Sequence, residues 1–387
     1  MKINSIIQGD TLEVLKAFPD DCIDTIITSP PYWGLRDYGE ETKIIWDGDK
    51  DCKHEWNLGK TRIVESHHGQ DSSDLFSGKG AESWGDRGMN VAPSGFCPKC
   101  GAWYGQLGLE PTLEMYLNHL LQITMELKRV LKPTGVMFWN QGDCYGGSGC
   151  GTWSNANTNN CKESYALPFG KNVTANITHK CMVMQNYRLI LRMIDDEQGW
   201  ILRNTIIWHK PNHMPSSVKD RFASSYEPVF MLVKNRSYWF DLDAVRVPHK
   251  NGSILRVESA KKRKSVSSVK RKIDENIGAI PQRSSIDGIV VDINPSGKNP
   301  GDVWTIPTQP FPEAHFATFP EKLVEPMVKA GCPKNGIVLD PFAGAGTTCV
   351  VAKKLGRNYI GIELNPEYCK MAEKRISEVV RQGELNL

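Results

Sequence analysis

Gly336-Ile337-Val338-Leu339-Asp340-Pro341-Phe342-Ala343-Gly344-Ala345-Gly346-Thr347-Thr348 reads as a buried strand, a tight loop of small residues and the start of a helix. Glycines at 344 and 346 let backbone approach a ligand closely, and the amides of the following helix start point at it. The helix is expected over residues 346–355, a second strand over 359–362, and another helix from Pro366 onward. Glu363 closes that second strand, 23 residues after Asp340. A carboxylate there can accept hydrogen bonds from both hydroxyls of a ribose. A nicotinamide dinucleotide fits the loop poorly. The third glycine of G-x-G-x-x-G is missing, since Cys349 follows Thr347-Thr348, and Asp340 would repel a pyrophosphate. An ammonium and a sulfonium would be attracted instead, which points to S-adenosylmethionine.

At the other end of the chain, residues 5–7, 11–18 and 23–28 read strand, helix, strand, and the second strand runs into Thr28-Ser29-Pro30-Pro31-Tyr32-Trp33. This loop suits a planar amine. The lone pair of such an amine is delocalised and therefore a poor nucleophile. Hydrogen bonds from its two N–H groups to the Ser29 side chain and the Pro30 carbonyl would favour a pyramidal nitrogen, aligned in line with a methyl donor. Consecutive prolines present carbonyls from a backbone with little freedom to lose. Tyr32 offers a face on which an extruded base can stack, as any enzyme modifying a base inside a duplex requires.

Between these ends the pattern continues. A helix is expected over 111–131, ended by Pro133-Thr134-Gly135, then a strand over 136–140, a long loop over 142–160, a helix over 187–194, and strands over 201–208 and 229–233. Strands alternating with helices predict a doubly wound, mainly parallel α/β sheet. Residues 51–100 and 249–299 break the rhythm and read as insertions.

The paired motifs, catalytic loop first and glycine loop last, resemble the amino-methyltransferases of DNA in their permuted beta group. The resemblance covers most of the chain. It implies a Rossmann-like S-adenosylmethionine-dependent methyltransferase fold assembled from residues 1–50, 101–248 and 300–387. By the same resemblance Ser29, Pro30, Pro31 and Tyr32 are catalytic. Asp340, Phe342, Gly344, Gly346 and Thr347 hold the methionine end of the cofactor, with Thr28 beside them, and Glu363 holds its ribose. His315-Phe316-Ala317-Thr318-Phe319-Pro320 resembles the flanking cofactor motif, giving Thr318 a place in the site. Asp10 matches the acid that meets the adenine amino group. Trp208-His209-Lys210-Pro211-Asn212, Asp220-Arg221 and Tyr226-Glu227 resemble the family's usual continuation, which puts Lys210 and Arg221 near the flipped base and DNA backbone. Ser before Pro-Pro-Tyr goes with the N4 amine of cytosine in this family, with the N6 amine of adenine as the alternative. The implied partners are double-stranded DNA and, in function only, a cognate restriction endonuclease.

The first insertion ends in Cys97-Pro98-Lys99-Cys100-Gly101, a knuckle spacing that suits a structural zinc. Cys52 and His54 are the complementary pair, with His67-His68 as competitor; a closed site would pin a segment that has little core of its own. The second insertion, read as a target-recognition segment, carries eight Lys or Arg against one acid between Arg256 and Lys272. Lys261, Lys262, Arg263 and Lys264 are its densest run and candidate phosphate contacts, against the plainer reading of a solvated loop.

Composition is that of a globular protein: 387 residues, 40% hydrophobic, 24% charged, net charge +3. No apolar run approaches the roughly 20 residues a membrane helix needs. Met1-Lys2-Ile3-Asn4-Ser5 does not start a signal peptide, so a cytoplasmic protein without membrane partners is expected, its eleven cysteines reduced or bound to metal. Two other classes of function stay open at this level. One is a zinc-bearing DNA-binding protein without catalysis; the other is methylation of a glutamine side chain or of RNA.

Overall fold

The computed structural model describes residues 1–56, 95–146, 177–178, 180–195, 198–252, 254–255, 294–309 and 319–379. The strands are β1 (Ser5–Gln8), β2 (Ile23–Thr28), β3 (Ile44–Trp46), β4 (Trp103–Gly105), β5 (Leu131–Asn140), β6 (Ile201–His209), β7 (Tyr226–Val233), β8 (Val303–Thr305), β9 (Ile337–Asp340) and β10 (Asn358–Glu363). The helices that matter to the site are α1 (Thr11–Lys16), α2 (Leu113–Val130), α3 (Gln185–Asp195), α4 (Glu321–Gly331), α5 (Thr347–Lys354) and α6 (Pro366–Ser377).

Eight strands form one sheet in the order β1-β10-β9-β2-β5-β7-β6-β8. Neighbours from β1 through β5 pair parallel, β7 runs antiparallel to both β5 and β6, and β8 pairs parallel with β6. The expected mainly parallel sheet is therefore observed, with β7 as its reversed strand. The permuted halves meet at its centre, where Thr25 and Ile26 of β2 lie beside Val338 and Leu339 of β9. From β9 the chain moves to β10 on one side, and from β2 to β5 on the other. The strand order switches between them, and the crevice beyond the carboxyl ends of β2 and β9 is where open α/β sheets bind ligands.

Side chains alternate across the sheet as a strand period of two requires. Ile26, Met137, Trp139, Phe230 and Leu232 join Leu15, Leu120 and Leu189 in one core, while Ile27, Val136, Phe138, Val229 and Met231 join Leu323, Val328 and Val350 in the other. The sheet is thus covered on both faces. Thr112 caps α2 by accepting from the Met115 amide, and Asn365 with Pro366 at the first helical position starts α6.

A separate antiparallel pair joins β3 with β4, so residues 44–46 and 103–105 are held together. An isolated antiparallel bridge likewise joins Val247 to Lys298. Lys261, Lys262, Arg263, Lys264 and Thr318 lie outside the described residues. No helix among those described is long and apolar enough to cross a membrane.

Candidate functional site

A cavity of about 730 Å³ opens at the carboxyl ends of β2 and β9 and is lined from both halves of the chain. On one side stand Asp10, Asp340, Phe342, Gly344, Thr347 and Glu363; on the other stand Ser29, Pro30, Pro31, Tyr32, Asn140, Lys210 and Glu227. The sequence motifs are therefore brought into one space.

Asp340, only 2% exposed, sits at the end of β9. Its Oδ1 accepts from the Thr28 hydroxyl at 2.7 Å and the Phe342 amide at 3.1 Å, and its Oδ2 from the Thr348 hydroxyl at 2.7 Å. Burial nevertheless outweighs these bonds and raises the Asp340 pKa to about 6. Such a carboxylate favours a cation. Thr28 itself is buried off the cavity wall, so it meets Asp340 rather than the open space. Glu363 accepts from the Gly344 and Asn365 amides, each at 2.8 Å, and burial pushes its pKa up as well. Gly346 is also off the wall. Its φ of 75° and a would-be Cβ only 2.8 Å from Ala372 show that glycine is required there for the turn and for packing against α6. Asp10 lines the cavity while capping α1 through the Glu13 amide at 2.9 Å. Arg36, Tyr38 and Tyr368 close the same side.

In the catalytic loop the Ser29 hydroxyl lies 3.3 Å from the Tyr32 hydroxyl, which in turn lies 3.2 Å from Glu227 Oε2 and 3.5 Å from Asn140 Oδ1. Burial and the Glu227 charge hold the Tyr32 phenol well above its ordinary pKa, so it keeps its proton. Lys210 pairs with Glu227 Oε1 at 2.5 Å and lies 4.1 Å above the Trp208 ring. Both come from the β6–β7 hairpin. A Cβ at Gly142 would fall 2.8 Å from the Tyr32 ring, so the residue after Gln141 must be small. The Pro31 carbonyl accepts from the buried Tyr116 hydroxyl at 2.7 Å, which fixes the loop against α2. Trp33 is buried packing, its indole donating to the Glu110 carbonyl at 2.9 Å. Arg221 is exposed and stacks 3.9 Å above the Tyr145 ring, outside the cavity wall. Tyr226-Glu227 belongs to the family-like continuation, but nothing local in the sequence ties Glu227 or Asn140 to Tyr32. An acid at the second position of β7 signals nothing until the hairpin register carries it to Tyr32.

The four insertion residues also converge: one ligand atom from each of Cys52, His54, Cys97 and Cys100 lies within 4.8 Å of the others. Cys52 Sγ is 3.9 Å from Cys97 Sγ, and Cys100 Sγ is 3.4 Å from His54 Nδ1. Tetrahedral zinc with bonds of about 2.3 Å to sulfur and 2.0–2.1 Å to nitrogen needs separations of about 3.8 and 3.5 Å. The residues present fit that ion.

The model of the N6/N4 methyltransferase family, described as DNA methylase, matches residues 23–374. The chain belongs to this family. The methylase is 30% identical over 380 residues to Type II methyltransferase M.Cfr9I of Citrobacter freundii, covering 98% of this chain and 88% of that one. It is 29% identical over 382 residues to M.XycI of Xanthomonas campestris pv. cyanopsidis, covering 98% and 90%. Among solved structures, PvuII DNA methyltransferase (cytosine-N4-specific) shares the fold with a TM-score of 0.51 at 17% identity, over 98% of this chain and 89% of that one.

Proposed function

We propose that this DNA methylase transfers a methyl group from S-adenosylmethionine to the exocyclic N4 amine of cytosine in duplex DNA, with the target base flipped into the cavity. The observation that carries this reading is the single space shared by Asp340 and Glu363 on one side and Ser29 with Tyr32 on the other. S-adenosylmethionine, when bound, supplies a methyl group on a sulfonium. Asp340 would meet its ammonium and Glu363 its ribose, with Asp10 at the adenine, and Phe342, Gly344 and Thr347 along the wall. Thr28 acts through Asp340. Ser29 Oγ and the Pro30 carbonyl would accept the two amine N–H groups, and Tyr32 would stack on the base. Methylation of an amine releases one proton. Ser29 donating toward Tyr32, and Tyr32 toward Glu227, forms a route for it that ends on a carboxylate. Ser29 in place of an acid or amide favours cytosine over adenine. Nucleoside mass spectrometry of DNA methylated by the pure protein tests this. N6-methyladenine as the main product overturns the cytosine assignment, and absence of any methylated nucleoside overturns the reading as a whole.

Zinc at Cys52, His54, Cys97 and Cys100 would be structural, since four protein ligands leave no open position. It would tie both ends of a 51–100 module to the base of the β3–β4 hairpin. Residues 249–299 would form the target-recognition segment, with Lys261, Lys262, Arg263 and Lys264 joining Lys210 and Arg221 on the DNA.

A further inference from the structure

The chain leaves the sheet after β6 at Lys210 and returns at Ser225, whose carbonyl accepts from the Lys210 amide at 2.7 Å. The loop between them is anchored near both ends. Asn212 and Thr308 exchange a reciprocal pair of bonds at 3.0 and 2.8 Å, Asp220 pairs with Lys180 at 2.6 Å, and Arg221 stacks on Tyr145. Asn212, His213, Met214 and Ser224 line the cavity, so the loop stands at its catalytic rim. Its apolar side chains face water. Met214 is 77% exposed, and Phe222 at 98% is the most exposed large hydrophobic among the described residues.

A phenyl ring in water forgoes the free energy of burial, and nothing among the described residues covers this one. The charges beside it indicate what could. Lys219 and Arg221 flank Asp220, the segment's single acid, which is already paired with Lys180, while Lys210 at the segment's start is held by Glu227. A basic loop tipped with apolar side chains complements a polyanion whose interior is stacked rings. We propose that this loop enters duplex DNA where the target base leaves it, Phe222 taking the vacated place in the stack while Met214 borders the path into the cavity. An aromatic ring fits that gap because every base presents a π-face, and apolar wedges between base steps are an established way to hold a duplex open. The inference rests on the reading that this methylase flips its target.

The test uses the full-length protein and a duplex carrying the methylated sequence mapped from plasmid DNA treated with the wild type. Phe222→Ala should weaken binding to the intact duplex roughly 5- to 150-fold, the worth of one base–aromatic stack. Phe222→Trp should retain it, and S-adenosylmethionine affinity should be unchanged in both variants. The loss should vanish on single-stranded DNA of the same sequence, which offers no duplex gap for the ring to fill. Equal binding and methylation by Phe222→Ala and wild type on the intact duplex would overturn the wedge while leaving the methyltransferase reading intact. A defect of the same size on single-stranded and duplex DNA would also overturn it. A wild-type dimer in sedimentation that Phe222→Ala dissolves would assign the ring to a second copy of the chain instead. A wild type that methylates no DNA would remove the base-flipping premise itself.

Discussion

Replacing Asp340 by Asn should separate stability from cofactor binding. Burial lifts the Asp340 carboxyl from its ordinary pKa of 3.8 to about 6 despite three hydrogen bonds. A carboxyl whose folded pKa exceeds its unfolded value binds more protons when folded. Its stabilising contribution is full below the unfolded value and is lost as pH rises through the folded one, a window of about pH 4 to 6. At about 1.36 kcal/mol per unit, the wild type forgoes about 3 kcal/mol at pH 7.5 relative to acid. Asn carries no charge, but it exchanges one accepting oxygen for an amide and loses a threonine bond worth about 1 kcal/mol. Without cofactor, D340N should therefore be more stable than wild type by about 1–2 kcal/mol at pH 7.5, with the advantage vanishing toward pH 5. Its affinity for S-adenosylmethionine should fall about tenfold to hundredfold, the worth of one charge-assisted bond. Thermal unfolding from pH 5 to 8 reads the first effect and titration calorimetry the second. A variant less stable than wild type at pH 7.5 that binds the cofactor with undiminished affinity would refute both the strain at Asp340 and its partner.

Glu227→Gln keeps the shape of the Tyr32 contact but removes the final proton acceptor; kcat should fall about tenfold or more with cofactor affinity unchanged, and a wild-type kcat in single-turnover assays would remove the relay. Elemental analysis of protein prepared without chelator should find one zinc per chain, lost in Cys97→Ser; zinc that survives this change would place the ligands elsewhere. His119→Asn should lower stability by about 1–3 kcal/mol, because it leaves the buried Glu110 carboxyl without its hydrogen-bond partner at 3.0 Å. It should also reduce kcat more than cofactor affinity, and an unchanged unfolding midpoint would show that the contact carries little.

Where pattern and chemistry agree within a short window, the sequence was legible. Strands β1, β2, β9 and β10 and helices α2, α5 and α6 lie where their apolar periods and caps put them. Of the Cys52, His54, Cys97 and Cys100 cluster only the Cys97-x-x-Cys100 spacing is a local signal; Cys52 and His54 follow from nearness to the other end of the segment, and their competitor His67-His68 lies outside the described residues. Helix α4 was not read, because Pro326 interrupts its pattern and Pro320 and Pro333 flank it; burial of Leu323, Met327 and Val328 on the sheet overrides that signal. Strand β8 is three residues long and exists through its pairing with β6. The two strands of the β3–β4 hairpin are too far apart in sequence for any local signal to join them. Glu227 and Asn140 escaped for the same reason, since their place beside Tyr32 depends on the antiparallel register of β7 against its neighbours.

That dependence on distant pairing extends to the β3–β4 hairpin, which is joined to the chemistry through buried contacts. Trp46 and Trp103, cross-strand partners in the β3–β4 hairpin, both stack on His119 of α2, with centroids 4.3 and 5.8 Å away. The two His119 nitrogens face Asp47 at 3.1 Å and Glu110 at 3.0 Å. Burial raises the Glu110 pKa, and the contact with His119 works against that rise. Glu110 also accepts from the Gly108 amide at 2.8 Å, and its carbonyl takes the Trp33 indole. The Gly108 carbonyl in turn accepts from the Gly34 amide at 2.8 Å. Every link from the hairpin to the residues just after Tyr32 is thus a short polar bond or a ring stack, and Glu110, His119, Trp33 and Trp103 are buried. A module held at its base by four metal-type ligands would hold this chain of contacts in place. The position of Ser29 and Tyr32 against the cavity then depends on hairpin residues that lie far from the catalytic loop in sequence.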